Sequence, residues 1–282
     1  MTIPLTHPRT IAAAAIMALF ALIALNITWQ DSRISPELYI SGEAWRPFVG
    51  RALLPMLARV VGGGRAALNV MITLSWLAVP VALGYLVAFF RPISDAELAA
   101  LTVLPIVLLL AHVHIYDGAT IALTAATLGA LLRQRWAFTL ALLAVFALNR
   151  ETAILVGVAA AWVARGWRVR LLAVALPIAI RALIAWRFAG NPGGPVEFHA
   201  ADFLLAITHG FDFFVFTLSG ALMLIANVAR RWPALHPTLR AGFVFVALPL
   251  LVSYPIIGYP FEFRYFLEVY PLLVAAFVMV KQ

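Results

Sequence analysis

The triplet Asn149-Arg150-Glu151 is the feature of the sequence that most strongly indicates chemistry. It separates two apolar runs, 136–148 and 152–164, and carries both signs of charge. Ionisable groups at membrane depth cost about 2.5–3.5 kcal/mol each to insert, so they are usually functional or paired. Adjacent residues on a helix do not face each other, so Arg150 and Glu151 each need a separate partner. We expect either two structural ion pairs, or Arg150 holding a phosphate while Glu151 orients Arg150 or the acceptor.

A second polar group lies at residues 112–117, where His112, His114 and Asp117 follow the spacing H-x-H-x-x-D and Tyr116 adds a hydroxyl. Two imidazoles and a carboxylate can bind a divalent metal, or can act as a base with its orienting partner. A structural alternative has Asp117 capping the helix that begins there, with Gly118 easing the turn.

Asp31 follows the first apolar run and should lie at the depth of the lipid headgroups. A carboxylate there can accept a proton while it faces a lipid-linked substrate, and the alternative is a solvated loop residue. Arg46 lies downstream in the sequence Trp-Arg-Pro, whose residue types commonly anchor a chain at the interface. We also count Arg46 among the candidate ligands of a phosphate.

The segment 259–265 opens the last apolar run with the sequence Tyr-Pro-Phe-Glu-Phe-Arg-Tyr. Glu262 and Arg264 lie among aromatic rings there, which suits either an interfacial belt or recognition of a sugar and a phosphate. The glycines at 62–64 are not followed by Lys-Ser or Lys-Thr, so no P-loop is indicated. The sequence also contains neither G-x-S-x-G nor H-E-x-x-H.

The composition requires these polar residues to be held within a membrane. Of the 282 residues, 64% are hydrophobic and 11% are charged, whereas a soluble domain has about 45–50% and 25%. We therefore expect one integral membrane domain over 1–282 and no separate soluble domain. The net charge of +8 does not indicate a nucleic-acid partner, because the arginines form short clusters between apolar runs.

Apolar runs predict an all-α transmembrane bundle of about ten spans. The runs are 11–29, 66–90, 98–112, 117–132, 136–148, 152–164, 171–188, 212–229, 241–257 and 265–280. Several are shorter than the roughly 20 residues of a full crossing, so some helices should end inside the membrane around a cavity. Alternate connections carry most of the arginines, which places them and both termini in the cytoplasm by the positive-inside rule.

Two of the outer connections should contain helices. Apolar residues recur at three- and four-residue steps over 42–62, which predicts an amphipathic helix lying in the outer interface. Residues 189–212 begin with the turn-forming sequence Asn-Pro-Gly-Gly-Pro and continue into a second interfacial helix. Residues 136–164 can form a hairpin or one long helix, and the basic clusters at both ends favour the hairpin.

Taken in order, these features resemble the GT-C superfamily of membrane glycosyltransferases. They are an Asp after the first span, an interfacial helix in the first outer loop, Tyr-Asp opening a short helix, Asn-Arg-Glu-Thr between two short helices, and Glu-x-Arg-Tyr before a late span. The resemblance implies a cell-envelope enzyme, in a bacterial inner membrane, whose site faces the periplasm or the outside. The donor would be a sugar on a polyprenyl-phosphate carrier. Asp31 would be the base, and Arg150 and Arg264 would hold the carrier phosphate.

The resemblance also bears on cofactors and acceptors. The single Asp31 stands in place of a paired acidic motif, so we expect no cofactor and no metal requirement. The chain ends directly after its last apolar run, so we expect a small or lipid-linked acceptor rather than a folded protein. Membrane lipid is the other expected partner, and nucleic acid is not.

The predicted reaction is direct displacement at the anomeric carbon, which inverts its configuration. Asp31 deprotonates the acceptor hydroxyl, and arginines stabilise the departing phosphate. Asp117 and Glu151 are the alternative bases. Two rival functions use the same polar groups without this chemistry: a lipid-linked sugar flippase or transporter, and a non-catalytic assembly subunit whose polar groups pair helices.

Overall fold

The computed structural model describes residues 35–46, 48–109, 114–194, 198–209, 222–258 and 266–279. Within these ranges the regular structure is helical, which agrees with the all-α prediction. The predicted first span and four candidate site residues lie outside the described residues; the four are Asp31, His112, Glu262 and Arg264.

The helices are numbered here in chain order. They are α1 (Pro36–Ser41), α2 (Leu53–Val60), α3 (Gly64–Val87), α4 (Asp95–Leu109), α5 (Asp117–Leu132), α6 (Trp136–Asn149), α7 (Ala153–Val163), α8 (Trp167–Arg187), α9 (Ala200–His209), α10 (222–231), α11 (Pro237–Ile257) and α12 (Val269–Met279). Helices α3, α8 and α11 are long and apolar enough to cross a membrane. Helices α5, α6, α7 and α12 are apolar but shorter, as the lengths of the runs predict.

Helix α8 presents an apolar surface along most of its length. Trp167 near its start is 69% exposed, and Trp186 near its end is 75% exposed. Nineteen residues separate the two indoles, which is about 28 Å along a helix and close to the thickness of a bilayer core. Tryptophan is enriched at both membrane interfaces, so this spacing suits a helix that crosses the membrane.

Small residues allow α5 to lie close against α3. A Cβ atom at Gly118 would come within 2.9 Å of Trp76, and one at Gly129 within 2.6 Å of Tyr85. The two glycines share a stripe with two buried alanines at three- and four-residue steps, Ala122 and Ala125. Such a stripe permits close packing of membrane helices. The expected role of Gly118 in easing a turn is therefore replaced by one in helix packing.

The chain reverses between α6 and α7. Arg150 ends α6 in an extended conformation, with φ −156° and ψ 146°. Both helices pack against α8, and the ring of Trp162 on α7 lies 5.3 Å from that of Phe245 on α11. One continuous helix would carry Trp162 about 20 Å beyond the end of α6. The hairpin interpretation of 136–164 is therefore confirmed.

Residues 42–62 do not form the single helix that their apolar pattern predicts. A 3-10 turn at Phe48–Gly50 comes first, and α2 begins only at Leu53. Between them, Arg51 is turned into the bundle and buried, which interrupts the apolar stripe. The stripe is consequently divided into a buried part at the turn and an exposed part on α2, where Val60 is 83% exposed.

The two long connections predicted to be outer contact each other. The side-chain Nδ2 of Asn191 donates to the carbonyl oxygens of Gly42 at 2.8 Å and Ala44 at 2.9 Å. The backbone N–H of Arg46 donates to the carbonyl oxygen of Pro192 at 2.9 Å. The predicted turn at 191–194 and the helix after it, α9, are both present. The first connection is thus fixed to the end of α8.

Candidate functional site

Polar side chains from five parts of the chain meet at one end of the bundle. They come from the segment before α2, the start of α5, the α6–α7 turn, α8, and the turn before α12. We call them the polar cluster: Arg51, Tyr116, Asp117, Asn149, Arg150, Glu151, Thr152, Arg181 and Glu268. Four of the predicted site residues belong to it, namely Tyr116, Asp117, Arg150 and Glu151.

Arg150 and Glu268 form a buried ion pair within the polar cluster. The Nε atom of Arg150 lies 3.2 Å from Oε1 of Glu268, and the two side chains are 6% and 0% exposed. The hydroxyl of Thr152 donates to the same carboxylate oxygen. Buried charges of this kind must be compensated, because removing one partner leaves the other desolvated and alone. Arg150 is therefore engaged with the protein, where the sequence had left open a role as a phosphate ligand.

Glu151 has partners of its own. Its Oε1 lies 3.5 Å from Nη2 of Arg51, and its Oε2 lies 3.7 Å from Nη2 of Arg181. The Glu151 side chain is 46% exposed, whereas the Arg51 and Arg181 side chains are 10% and 17% exposed. The prediction that Arg150 and Glu151 need separate partners is confirmed. Glu151 is also the member of these ion pairs that reaches solvent.

The charges around Glu151 decide its protonation. Burial among the helices opposes its ionisation, but the positive charges of Arg51, Arg150 and Arg181 outweigh that effect and lower the pKa of Glu151 to about 2. For Arg51, burial lowers the pKa while Tyr116 and Glu151 raise it, and the net effect is a raised pKa. Both groups are therefore charged at neutral pH. A carboxylate of such low pKa is a weak base.

Arg51 is held by an aromatic ring as well as by Glu151. Its guanidinium carbon lies 4.1 Å from the centre of the Tyr116 ring, within the range of a cation–π interaction. Its Nη1 also donates to the Tyr116 hydroxyl. On the other side of Glu151, Nη1 of Arg181 donates to the Ala147 carbonyl oxygen near the end of α6, at 3.3 Å. A cation is favoured at a helix C-terminus, so α6 helps to place Arg181.

Asp117 is fully buried and is the first residue of α5. Its Oδ2 accepts the backbone N–H of His114 at 2.7 Å. This bond closes the turn that leads into the helix, but Tyr116 is the N-cap residue of α5 and no side chain caps the helix there, so the prediction that Asp117 caps it is wrong. The ring of His114 lies nearly parallel to that of Phe48, with 6.4 Å between centres. No group of three His, Cys, Asp or Glu suited to a metal occurs among the described residues.

Some positions were missed by sequence reasoning or lie apart from the polar cluster. Arg51 and Glu268 were not among the predicted site residues, and Arg181 was not either. Glu268 carried a usable signal, because it is an isolated carboxylate within the apolar run 265–280 and so requires a partner. Arg46 lies at the junction with Pro192, and its described backbone contact is there.

No family model matches the chain, and no match is found among curated proteins or among solved structures. Its function must therefore be inferred from the chemistry of its own residues.

Proposed function

We propose that this chain is an integral membrane glycosyltransferase that moves a sugar from a polyprenyl-phosphate carrier to an acceptor hydroxyl. The observation that supports this is the pair of guanidinium groups of Arg51 and Arg181 on either side of the half-exposed Glu151, at one end of an apolar bundle. A polyprenyl-phosphate carrier presents its anion at the end of an apolar chain. Arginine is the side chain best suited to bind such a phosphate.

The proposed arrangement in the membrane has about ten spans and both termini in the cytoplasm. The polar cluster then faces the periplasm or the outside of a bacterial inner membrane, and the arginine-rich turns face the cytoplasm. In this arrangement α2, with Met56, Leu57 and Val60 exposed, lies along the outer interface.

The proposed reaction is a single displacement. The acceptor oxygen bonds to the anomeric carbon as the bond from that carbon to the phosphate oxygen breaks, and the charge moves to the phosphate. Asp31 takes the proton of the acceptor hydroxyl. Glu151 is assigned to the arginines, because its carboxylate lies between Arg51 and Arg181, and Asp117 is buried at the start of α5. These arguments leave Asp31 as the preferred base.

The remaining candidate residues are assigned to the substrates. His114 and Tyr116 have rings 5.6 Å apart beside Arg51, and aromatic rings can pack against a sugar. Glu262 and Arg264 keep their proposed roles at the sugar and the carrier phosphate. His112 and Arg46 remain candidate contacts of the substrate. No cofactor is proposed.

The test is transfer of a labelled sugar from a polyprenyl-phosphate donor by the chain reconstituted in liposomes, without an ion gradient and with a metal chelator present. We expect a labelled product whose anomeric configuration is opposite to that of the donor. Movement of the donor across the bilayer without transfer would favour the flippase. If neither transfer nor movement occurs with a range of donors and acceptors, the assembly subunit becomes the better hypothesis.

A further inference from the structure

The polar cluster contains two different kinds of ion pair. The Arg150–Glu268 pair is sealed from solvent, and its two atoms are 3.2 Å apart. The contacts of Glu151 with Arg51 and Arg181 are longer, at 3.5 and 3.7 Å, and the carboxylate is 46% exposed. Only the carboxylate of these pairs is exposed, and water screens a long, partly exposed pair more than a sealed one. The Arg150–Glu268 pair should therefore stay intact. The contacts of Glu151 with Arg51 and Arg181 can break at a smaller cost in free energy.

The environment of Arg51 points to a further acceptor. Its side chain is nine-tenths buried, and its Nε atom has no hydrogen-bond acceptor in the part of the chain that the structure describes. A buried N–H group without a partner is destabilising, and more so when it belongs to a cation. An acceptor that arrives with a ligand would satisfy it.

We propose that Arg51 and Arg181 form the phosphate-binding site of this protein, and that Glu151 is an internal counter-ion which the phosphate displaces. This deepens the proposed function, on which it rests for the nature of the ligand. Glu151 lies between the two guanidinium groups, where it occupies the position of an anion, and its exposure allows its carboxylate to move into solvent. The Arg150–Glu268 pair stays intact and holds the turn that carries Glu151.

A phosphate is a stronger ligand for this pair of arginines than a carboxylate. The phosphodiester of the donor carries one negative charge, like a carboxylate, but the phosphate monoester released by transfer carries nearly two and offers three oxygens that can match the planar guanidinium forks. Glu151 nevertheless competes with it, because the carboxylate is covalently tethered beside the site. Removing the charge of Glu151 should therefore tighten phosphate binding. A residue that helps to bind the phosphate, or that orients the arginines for it, would have the opposite effect.

The experiment measures phosphate affinity in the full chain, purified in nanodiscs, for the wild type and Glu151→Gln. Two probes are used, inorganic phosphate and a short-chain prenyl monophosphate. The matched control is Glu97→Gln, since Glu97 is 37% exposed and pairs with Arg91 at 2.7 Å in a different turn. Loss of the two competing contacts of Glu151 should tighten phosphate binding by about three- to tenfold in Glu151→Gln, and the affinity of Glu97→Gln should equal that of the wild type. Adding Arg181→Gln to Glu151→Gln should bring the affinity below that of the wild type.

The outcomes are separable from those of the transfer assay. Tighter binding with either probe in Glu151→Gln supports the site, and tighter binding with the prenyl phosphate alone identifies a lipid-borne phosphate as the ligand. Unchanged or weaker binding with both probes overturns the inference, even if sugar transfer is observed. Tighter binding without any sugar transfer keeps the phosphate site and removes the glycosyltransferase. Thermal midpoints of all variants show that each one is folded.

Discussion

Both ends of the helical bundle are rich in arginine, but they hold it differently. In the polar cluster, Arg51 and Arg150 are nearly buried and paired with carboxylates. At the other end, Arg133 lies over the ring of Tyr85 at 4.1 Å, and Arg231 lies over that of Phe277 at 5.2 Å. We call this second region the basic end: Arg91, Arg133, Arg231 and the turns that carry them. The 16 residues of α5 separate the two ends by about 24 Å.

The difference reflects what each arginine needs. An arginine near the interface can keep its charge in water and lay its stem on an aromatic ring, as Arg133 and Arg231 do, and the pair of Arg91 with Glu97 is partly exposed. An arginine drawn into the bundle needs a counter-ion, and that arrangement seldom gives net stability over apolar packing. The predicted membrane orientation would by itself account for the arginines of the basic end. It would not account for the buried arginines of the polar cluster, which is why we propose that the chemistry occurs there.

The contacts between the segments that connect the helices agree with the division of the bundle into the polar cluster and the basic end. The connection at 42–46 contacts the one at 191–193, and the start of α5 contacts the end of α6. At the basic end, the ring of Phe89 lies 5.8 Å from that of His236. Connections predicted to be outer therefore meet one another, and so do connections predicted to be inner.

The proposed difference between the polar cluster and the basic end would be wrong if both lay on the same side of the membrane. Gly166 and Gly190 flank α8, both are exposed, and a Cβ atom at either position would meet no other atom within 4 Å. The natural chain has no cysteine. In intact cells, Gly190→Cys should react fully with an impermeant maleimide, and Gly166→Cys should react only after the membrane is opened. Labelling of both positions from outside would contradict the proposed topology.

Loss of the proposed base should have the largest effect on turnover. Asp31→Asn keeps the size of the side chain but cannot accept the proton, so turnover should fall by about 10²–10⁴-fold. Binding of the donor should survive, because the arginines of the polar cluster are untouched. The measurement is single-turnover sugar transfer alongside donor binding. Asp95→Asn, at the start of α4, is the matched control, and a comparable loss there would remove the special role of Asp31.

The ion pairs Arg150–Glu268 and Arg91–Glu97 should differ in their contribution to stability. Glu268→Ala leaves the guanidinium of Arg150 buried without its carboxylate, which should cost about 3–5 kcal/mol. Glu97→Gln removes the charge that pairs with Arg91 from a partly exposed pair but keeps an oxygen for the hydrogen bonds of Ser94, so it should change the free energy of unfolding much less. Unfolding of the purified variants in detergent compares them directly. Equal stabilities would show that Glu268 and Arg150 do not depend on each other as their burial indicates.

Protonation of Glu151 by acid should weaken the fold slightly. The pKa of Glu151 is lowered from 4.5 to about 2 in the folded protein, so its ionised form stabilises the fold above pH 4.5. That contribution is lost as the pH falls from 4.5 towards 2. The difference in thermal midpoint between the wild type and Glu151→Gln should be constant from pH 5 to 9 and should shrink below pH 4.5. A difference that changed near neutral pH would contradict the lowered pKa.

Much of the helical framework was predictable because its signal is local. Runs of apolar residues marked α3, α5, α6, α7 and α11 to within a few residues, and Arg150 marked the break of the hairpin. The segment 42–62 was misjudged because both its buried and its exposed faces are apolar, so periodicity alone could not show where Arg51 turns inward. The face of a helix is predictable only where polarity distinguishes its surroundings.

The polar cluster was predictable in part. The energy of a buried charge required partners for Arg150 and Glu151, and both partners exist. Their identities could not be read from spacing, because Glu268 and Arg51 are more than 90 residues away along the chain. Only the packing of the bundle brings those segments together. Nothing in the sequence distinguishes Arg51 from Arg46 and Arg59, the other arginines of the segment 42–62.

The most direct test of the division between the two ends is the rate of sugar transfer in Arg181→Gln compared with Arg133→Gln. Both variants remove one partly buried arginine, the first from the polar cluster and the second from the basic end. If Arg181 binds the carrier phosphate, loss of a charge-assisted hydrogen bond should lower kcat/KM by about 10- to 100-fold in Arg181→Gln. Arg133→Gln should stay within about twofold of the wild type, because the proposed site lies at the other end of the bundle and Arg133 would contact no substrate. Equal losses in the two variants, or a loss confined to Arg133→Gln, would contradict the placement of the reaction at the polar cluster.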